Sequence, residues 1–380
     1  MECYLDNSAT TALDEEAAEL MKKISVINFG NPSSLHHRGF EAQQYIKEAV
    51  HELSKLLRCS EKEVFFTSGG TESNNTAIIG AAINNRRRDK HIITTRIEHA
   101  AVARPVKFLE ERGYKADFLE VDGSGHIDLD ELRDKLTPDT LLVSIMHVNN
   151  EIGAVEPVLE AGKIIKEKSP GCLFHVDDIQ GFGKLKLIPK DNNIDLLSVS
   201  AHKLHGPKGV GLLYVKEKTN ISPLIFGGGQ QSGFRSGTEN VPGIAGFALA
   251  AKKAAANMET NLKRFQTLKD TFLSGLSGLE GFNINGGDVP YIISLTVDGV
   301  RAEVLLHALE EKGVYVSAGS ACSSNKPAVS ETLKAVGVKK EALDSTVRVS
   351  LSRYNTEEEM IYASQCFMDI VPQLRRFTRR

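Results

Sequence analysis

Between about residues 60 and 215 short apolar runs alternate with helix-patterned segments, and this alternation narrows the possible folds more than any other feature of the chain. The runs are Val64–Phe66, His91–Thr94, Ala116–Leu119, Leu141–His147, Leu173–Val176, Ile194–Val199 and Val210–Val215. Several are apolar on both alternations, as strands covered on both faces must be. The spacing predicts an α/β fold built on a doubly wound, mostly parallel, seven-stranded sheet. Upstream, Ile46, Ala49, Val50, Leu53 and Leu56 or Leu57 keep the three-four spacing of an amphipathic helix. From Val241 an Ala- and Lys-rich helical stretch runs to about Leu276. A turn at Asn285–Asp288 follows, then a second alternation through Tyr291–Val297, Arg301–Glu311, Val314–Ser317 and Thr346–Leu351. The expected division is a large domain, 15–245, and a smaller α/β domain made of 1–14 plus 246–380.

Composition removes several classes of function. Lys+Arg total 46 against 49 Asp+Glu, a net charge of −3, which gives no general attraction to nucleic acid or membrane. The basic runs Arg86–Arg88 and Arg375–Arg380 read as a helix end and a solvated chain end. Five cysteines, Cys3, Cys59, Cys172, Cys322 and Cys366, are odd in number and widely spaced, against a disulfide framework or structural zinc. The first residues lack the pattern of a signal peptide, and no apolar run reaches membrane-spanning length, so the expectation is a cytoplasmic protein.

Chemistry concentrates at strand ends. Lys203 follows the apolar run 194–199 in Ser200-Ala201-His202-Lys203, and Asp177 ends the run Cys172–Val176. Two adjacent parallel strands would bring this amine and carboxylate into one crevice. Pyridoxal phosphate calls for that pair: an amine for its aldehyde, and a carboxylate to keep its pyridine nitrogen protonated. Alone, each residue is more often a surface lysine or a turn former.

Strand 64–68 runs through Gly69-Gly70-Thr71 into a helical pattern, where free N–H groups and the Thr71 hydroxyl offer a phosphate site; an ordinary glycine-rich turn is the alternative. His99 after Thr95-Arg96-Ile97-Glu98 suits ring stacking or acid–base work. Asn149 and Asn150 fall at the carboxyl edge of the sheet, where ligands of open α/β folds bind. Gln180, three residues past Asp177, is placed for the ring hydroxyl. The loop Gly227–Thr238 either carries Arg235 and Thr238 to an anion or is a flexible linker. Cys322 lies among small, turn-forming neighbours, an exposed and movable thiol suited to nucleophilic work. Arg348, in Val347–Leu351, could hold a carboxylate bidentately, although a salt bridge is the commoner role.

Taken together, Tyr4–Thr11, Thr67–Asn75, Glu98-His99, His147–Gly153, His175-Val176-Asp177, Ser200–Lys203, Arg235–Thr238 and Gly319–Cys322 resemble the motifs of the NifS/IscS-type cysteine desulfurases, in the class V aminotransferase group of fold-type I pyridoxal phosphate enzymes. The resemblance runs in order from residue 4 to about 353. It implies conversion of L-cysteine to L-alanine and a persulfide on Cys322, with Lys203 holding the cofactor, Asp177 on its pyridine nitrogen, Gln180 at the ring oxygen and His99 stacked on the ring. Gly70, Thr71, Ser200 and His202 would surround the phosphate, and Thr238 would reach it from the other subunit of a homodimer. Asn150 and Arg348 would bind the substrate carboxylate. A sulfur-acceptor protein is the implied partner, feeding iron-sulfur cluster assembly or thiolation.

The chain departs from the family pattern at Asp178, where a small residue is usual, at Gln231-Ser232, where an acid–arginine pair is common, and at Pro327–Ser330. Rival readings are a class V aminotransferase or selenocysteine lyase using the same cofactor residues, and a non-catalytic sulfur or iron-sulfur scaffold. A keto-acid requirement would mark the first, and a colourless protein the last.

Overall fold

A computed structural model describes residues 1–85, 90–318 and 330–378. Arg86–Arg88 and the whole Gly319–Val329 stretch, Cys322 included, lie outside the described residues. The chain enters through β1 (Cys3–Tyr4), α1 (Glu15–Val26) and α2 (His37–Leu57). Burial of Ala42, Ile46, Ala49, Leu53 and Leu57 confirms the expected apolar stripe on α2. Truncating Leu53, which is fully enclosed, would cost about 2–5 kcal/mol.

Seven strands, among the described residues, form the large sheet: β2 (Val64–Thr67), β3 (His91–Thr95), β4 (Lys115–Leu119), β5 (Leu142–Met146), β6 (Leu173–Asp177), β7 (Leu196–Ser200) and β8 (Gly211–Val215). Helices α3 (Gly70–Asn84), α4 (Ala100–Glu110), α5 (Leu129–Lys135) and α6 (Val158–Lys168) alternate with them. The order is β2-β8-β7-β6-β5-β3-β4, with β8 antiparallel to both neighbours and the other pairings parallel. The doubly wound, mostly parallel sheet is therefore as expected.

Register builds the site. Met146 pairs with Asp177, and Asp177 with Ser198, so β5 and β6 finish level while β7 runs two residues further to Ser200. The reversed β8 brings Gly211 opposite both Ser200 and Thr67. A side chain there would sit 2.7 Å from the Gly69 backbone, so glycine lets these strand ends close up.

The helical stretch expected through Leu276 is instead two helices, α7 (Val241–Ala256) and α8 (Met258–Gly275). Asn257 breaks it by turning its side chain onto the Lys253 carbonyl, the local competition that disfavours asparagine inside helices. Beyond lie β9 (Phe282–Asn285), β10 (Ile292–Val297), α9 (Ala302–Glu310), β11 (Val314–Tyr315), β12 (Ser317–Ala318), α10 (Glu331–Ala335), β13 (Thr346–Ser350) and α11 (Glu357–Thr378). The single strand expected at 314–317 divides: β11 pairs parallel with β1, while β12 joins the antiparallel sheet β12-β13-β10-β9. Arg375, expected in a solvated tail, binds the carbonyls of Glu280, Gly281 and Asp298.

A second core gathers Cys3 and Leu5 with Phe265, Phe272, Tyr291 and Phe367. The whole of α7, including Phe247 and Ala251 beyond the expected boundary at 245, lies in the first core with α2 and the large sheet. Among the described residues no helix is long and apolar enough to cross a membrane.

Candidate active site

A short 3-10 turn, Ala201–Lys203, continues from β7 and returns the Lys203 amine over the sheet edge. A cavity of about 310 Å³ opens there. Gly70, Thr71, His99, Asn150, Asp177, Gln180, Ser200, His202 and Lys203 all line it, together with Ser8, Met146 and Ile179. The Lys203 amine donates to the main-chain carbonyls of Ser8 and Ala9, the latter at 2.8 Å.

Asp177 is buried on the cavity wall. Its Oδ2 accepts from Asn74 Nδ2 at 2.7 Å and its Oδ1 from the Ile179 N–H at 3.0 Å. Burial raises the carboxyl's proton affinity, and His99, these two donors and Lys203 pull it back. A buried carboxylate facing a cavity is suited to a cationic N–H donor on the occupant. Glu98 beside it is also fully buried; burial first, and the Asp177 charge second, push it well above the usual carboxylate range. A second anion there is thereby avoided.

The opposite end of the cavity suits an anion. Helix α3 is preceded by Gly69, whose φ of +147° is glycine's territory, and no side chain caps the helix. A Cβ on Gly70 would lie 2.2 Å from Ile179 Cδ1, so the first turn can approach only without one. Facing it, the Ser200 hydroxyl is buried with no hydrogen-bond partner among the described residues. A buried unpaired hydroxyl costs roughly 1–3 kcal/mol, and a ligand oxygen would satisfy it. His202 is pinned by Nδ1 to Thr10 Oγ1 at 3.1 Å. Burial, reinforced by Lys203, lowers its pKa to about 4, so it is neutral near pH 7 and meets a phosphate as a polar neighbour. An open helix start, an orphan hydroxyl, a ring-facing carboxylate and an amine fit pyridoxal phosphate in donor set and order.

His99 caps α4 through Nδ1, which accepts from the Ala101 N–H at 3.1 Å, and this fixes its imidazole at the cavity wall. Gln180 donates through Nε2 to the Ser8 carbonyl at 3.0 Å. Two expected residues, Arg348 and Arg235, are placed differently. Arg348, 2% exposed, is absent from the cavity lining: it donates through Nη1 to the Asn150 carbonyl at 2.8 Å and through Nη2 to Asp6 Oδ1 at 2.7 Å, leaving Nε buried and without a partner among the described residues. Arg235 is engaged by Glu72, Nε to Oε1 at 3.0 Å and Nη2 to Oε2 at 3.3 Å, so its guanidinium is not the open anion binder expected. Thr238 is exposed and away from this cavity. Cys322 falls outside the described residues.

Asp178, whose orientation the sequence left open, turns away from the cavity to His147 Nδ1 at 2.6 Å, both side chains being buried. Sequence reading missed Asn74 and Ser8. Asn74 had a signal, since it shares the buried face of α3 with Ala77, Ile78 and Ala81, an unusual place for an amide. Ser8 acts through its carbonyl, which any residue carries.

Residues 3–362 match the Aminotransferase class-V family. The chain is 42% identical over 378 residues to the cysteine desulfurase IscS of Dictyoglomus turgidum, covering 98% of this chain and 95% of that protein. It is 40% identical to the putative cysteine desulfurase IscS 1 of Bacillus subtilis strain 168, covering 98% and 99%. Among solved structures, a NifS-like protein superimposes with a TM-score of 0.93 at 38% identity, covering 98% of this chain and all of that one. A structure described as SspA in complex with cysteine does so at 0.82 with 33% identity, covering 93% and 100%. With its strand order, its amine–carboxylate pair and its full-length relatives in agreement, the chain belongs to the class-V aminotransferase family and, within it, to the cysteine desulfurases.

Proposed function

We propose that the chain takes L-cysteine to L-alanine and retains the sulfur as a persulfide on Cys322. The observation that carries this reading is the meeting of Lys203, Asp177 and the unpaired Ser200 hydroxyl in one cavity at the open end of α3. Pyridoxal phosphate, the cofactor of this family, supplies an electron sink when bound. Lys203 would hold its aldehyde, and its free amine would move the Cα proton of the substrate. Asp177 holds the pyridine proton, Gln180 donates to the ring oxygen, and His99 covers the ring. Gly70, Thr71, Ser200 and His202 hold the phosphate. Asn150 and Arg348 orient the substrate carboxylate, Arg348 sharing its donors with Asp6. Cys322 thiolate then attacks the substrate sulfur: an S–S bond forms, the Cβ–S bond breaks, and its electron pair stays on carbon, which is protonated to the methyl of alanine.

We place Thr238 on the phosphate of a second subunit. Its exposure supports this, as do Val26, Phe29, Leu35, Phe40 and Phe226, large apolar side chains left more than half exposed. The small domain is proposed to begin after α7 rather than at 246, since α7 is buried in the first core. The sulfur passes on to an acceptor protein, in a reducing cytoplasm where a persulfide and free thiols persist. Absorbance with and without L-cysteine, alanine and sulfide assays, and mass spectrometry of the Cys322 peptide test the reading. A colourless protein, or undiminished desulfuration by Cys322→Ser, would sink it.

A further inference from the structure

A second lysine stands behind the first. Lys184 and Lys203 both line a small second chamber of about 30 Å³ that shares only Lys203 with the lining of the main cavity. His205 and Arg353 contribute to the same wall. The Lys184 amine contacts Gln180 Oε1 at 3.5 Å and lies 4.8 Å over the Tyr291 ring, whose hydroxyl donates to the Gln180 carbonyl at 3.1 Å. These are neutral partners. Asp178 attracts Lys184 electrostatically but is hydrogen-bonded to His147 at 2.6 Å. Arg353, a further cation in the wall, is engaged by Asp14 at 2.7 Å, burial lowers His205 to about 4 so that it is uncharged near neutral pH, and on the main-cavity side Asp177 attracts Lys203.

We propose that Lys184 is a positioning residue for the reaction: its charge, confined to a chamber with Lys203, favours the uncharged form of the Lys203 nitrogen, and its amine holds the Gln180 carboxamide facing the cavity. Two ammonium groups in a small, poorly solvated space repel, and the pair gives up a proton sooner than either would alone. A neighbouring cation is a known way of activating an amine nucleophile. Burial first, and Lys203 second, lower Lys184 to about 7, so its charge changes near neutral pH. Above that pH the repulsion fades.

The inference rests on Lys203 being the cofactor lysine, so the test begins there. Borohydride reduction of the yellow holoenzyme, followed by peptide mass spectrometry, must find the cofactor on Lys203; finding it on Lys184 or elsewhere overturns the functional reading itself. With that established, the absorbance of the bound chromophore is titrated from pH 6 to 10 in wild type, Lys184→Met and Lys184→Arg. Lys184→Met keeps an apolar stem over Tyr291 and removes the charge, and its midpoint should rise by about one pH unit, a tenfold shift in the protonation equilibrium. Lys184→Arg keeps a cation and should stay at or below the wild-type midpoint. If Lys184→Met does not load cofactor, Lys184→Gln serves in its place. A midpoint unmoved by loss of the charge, or moved equally by Lys184→Arg, overturns the inference.

Discussion

Asn74 Nδ2 lies 2.7 Å from Asp177 Oδ2, with the amide wholly enclosed and its own Oδ1 without a partner among the described residues. The relationship is one-directional: the amide gives a proton to the carboxylate and receives nothing. Replacing it by leucine of similar volume removes a donor from a buried anion, at a cost of about 1.5–3 kcal/mol for a charged hydrogen bond. Asn74→Leu should bind pyridoxal phosphate more weakly and form alanine roughly tenfold or more slowly, while Asn74→Asp, which sets two carboxylates together, should be worse. Cofactor content and alanine formation measure this, and a fully active Asn74→Leu would refute it.

Ser200 yields a prediction in which stability and binding part company. Its hydroxyl is buried and has no partner among the described residues, so Ser200→Ala should leave the cofactor-free protein as stable or more so. The same change should weaken cofactor binding roughly tenfold, because a phosphate oxygen loses its donor. Melting temperatures with and without pyridoxal phosphate separate the two effects. A loss of stability in the cofactor-free form would count against the assignment.

Asp14 joins the start of α1 to both halves of the chain. Burial raises its carboxyl, but hydrogen bonds from Lys253, Tyr354 and the Ala17 N–H outweigh that and hold it at about 2, below its ordinary 3.8. A depressed carboxylate contributes stability above the unfolded pKa and loses it as pH falls through the folded one. Asp14→Asn should therefore cost about 1–2 kcal/mol at pH 7 and little at pH 2. Denaturant melts across that range test the window.

Glu156 has the opposite sign. It is 2% exposed, and burial raises it from 4.5 to about 7. A raised carboxyl stabilises fully below the unfolded pKa, and that contribution is lost as pH rises through the folded value. Glu156→Gln removes the loss, so the variant should gain about 2–3 kcal/mol on wild type at pH 8 and nothing near pH 4. An equal effect at both pH values would show that titration is not the cause.

What could be read from the sequence follows from what side chains announce. The strands of the large sheet were legible because strands such as β5 and β8 are apolar at nearly every position, a pattern imposed by burial of both faces. Lys203 and Asp177 were legible only as a pair, because an amine and a carboxylate that end neighbouring strands are brought into one crevice. The carbonyls of Ser8 and Ala9 were not, since backbone acceptors carry no residue signature. The His147–Asp178 pair spans 31 positions and becomes visible only once Met146 is in register with Asp177. Arg348 was read as open to a carboxylate because nothing in the sequence sets it against Asp6, 342 positions away. The break at Asn257 was hidden by strong helix formers on both sides.

The segment from Leu5 to Thr11 fixes the order in which the molecule can be finished during synthesis. Its carbonyls at Ser8 and Ala9 wait for an amine about 195 positions later, and the Ser8 N–H waits for a hydroxyl 342 positions later, at Ser350. At ~5–20 residues per second, that places some tens of seconds between translation of the cradle and of the strand that seats it. The large sheet can be complete, with Lys203 at its edge, while the first ten residues are still undocked. Competence to trap the cofactor firmly should thus arrive late and abruptly, when β13 emerges and draws the amino terminus across the site.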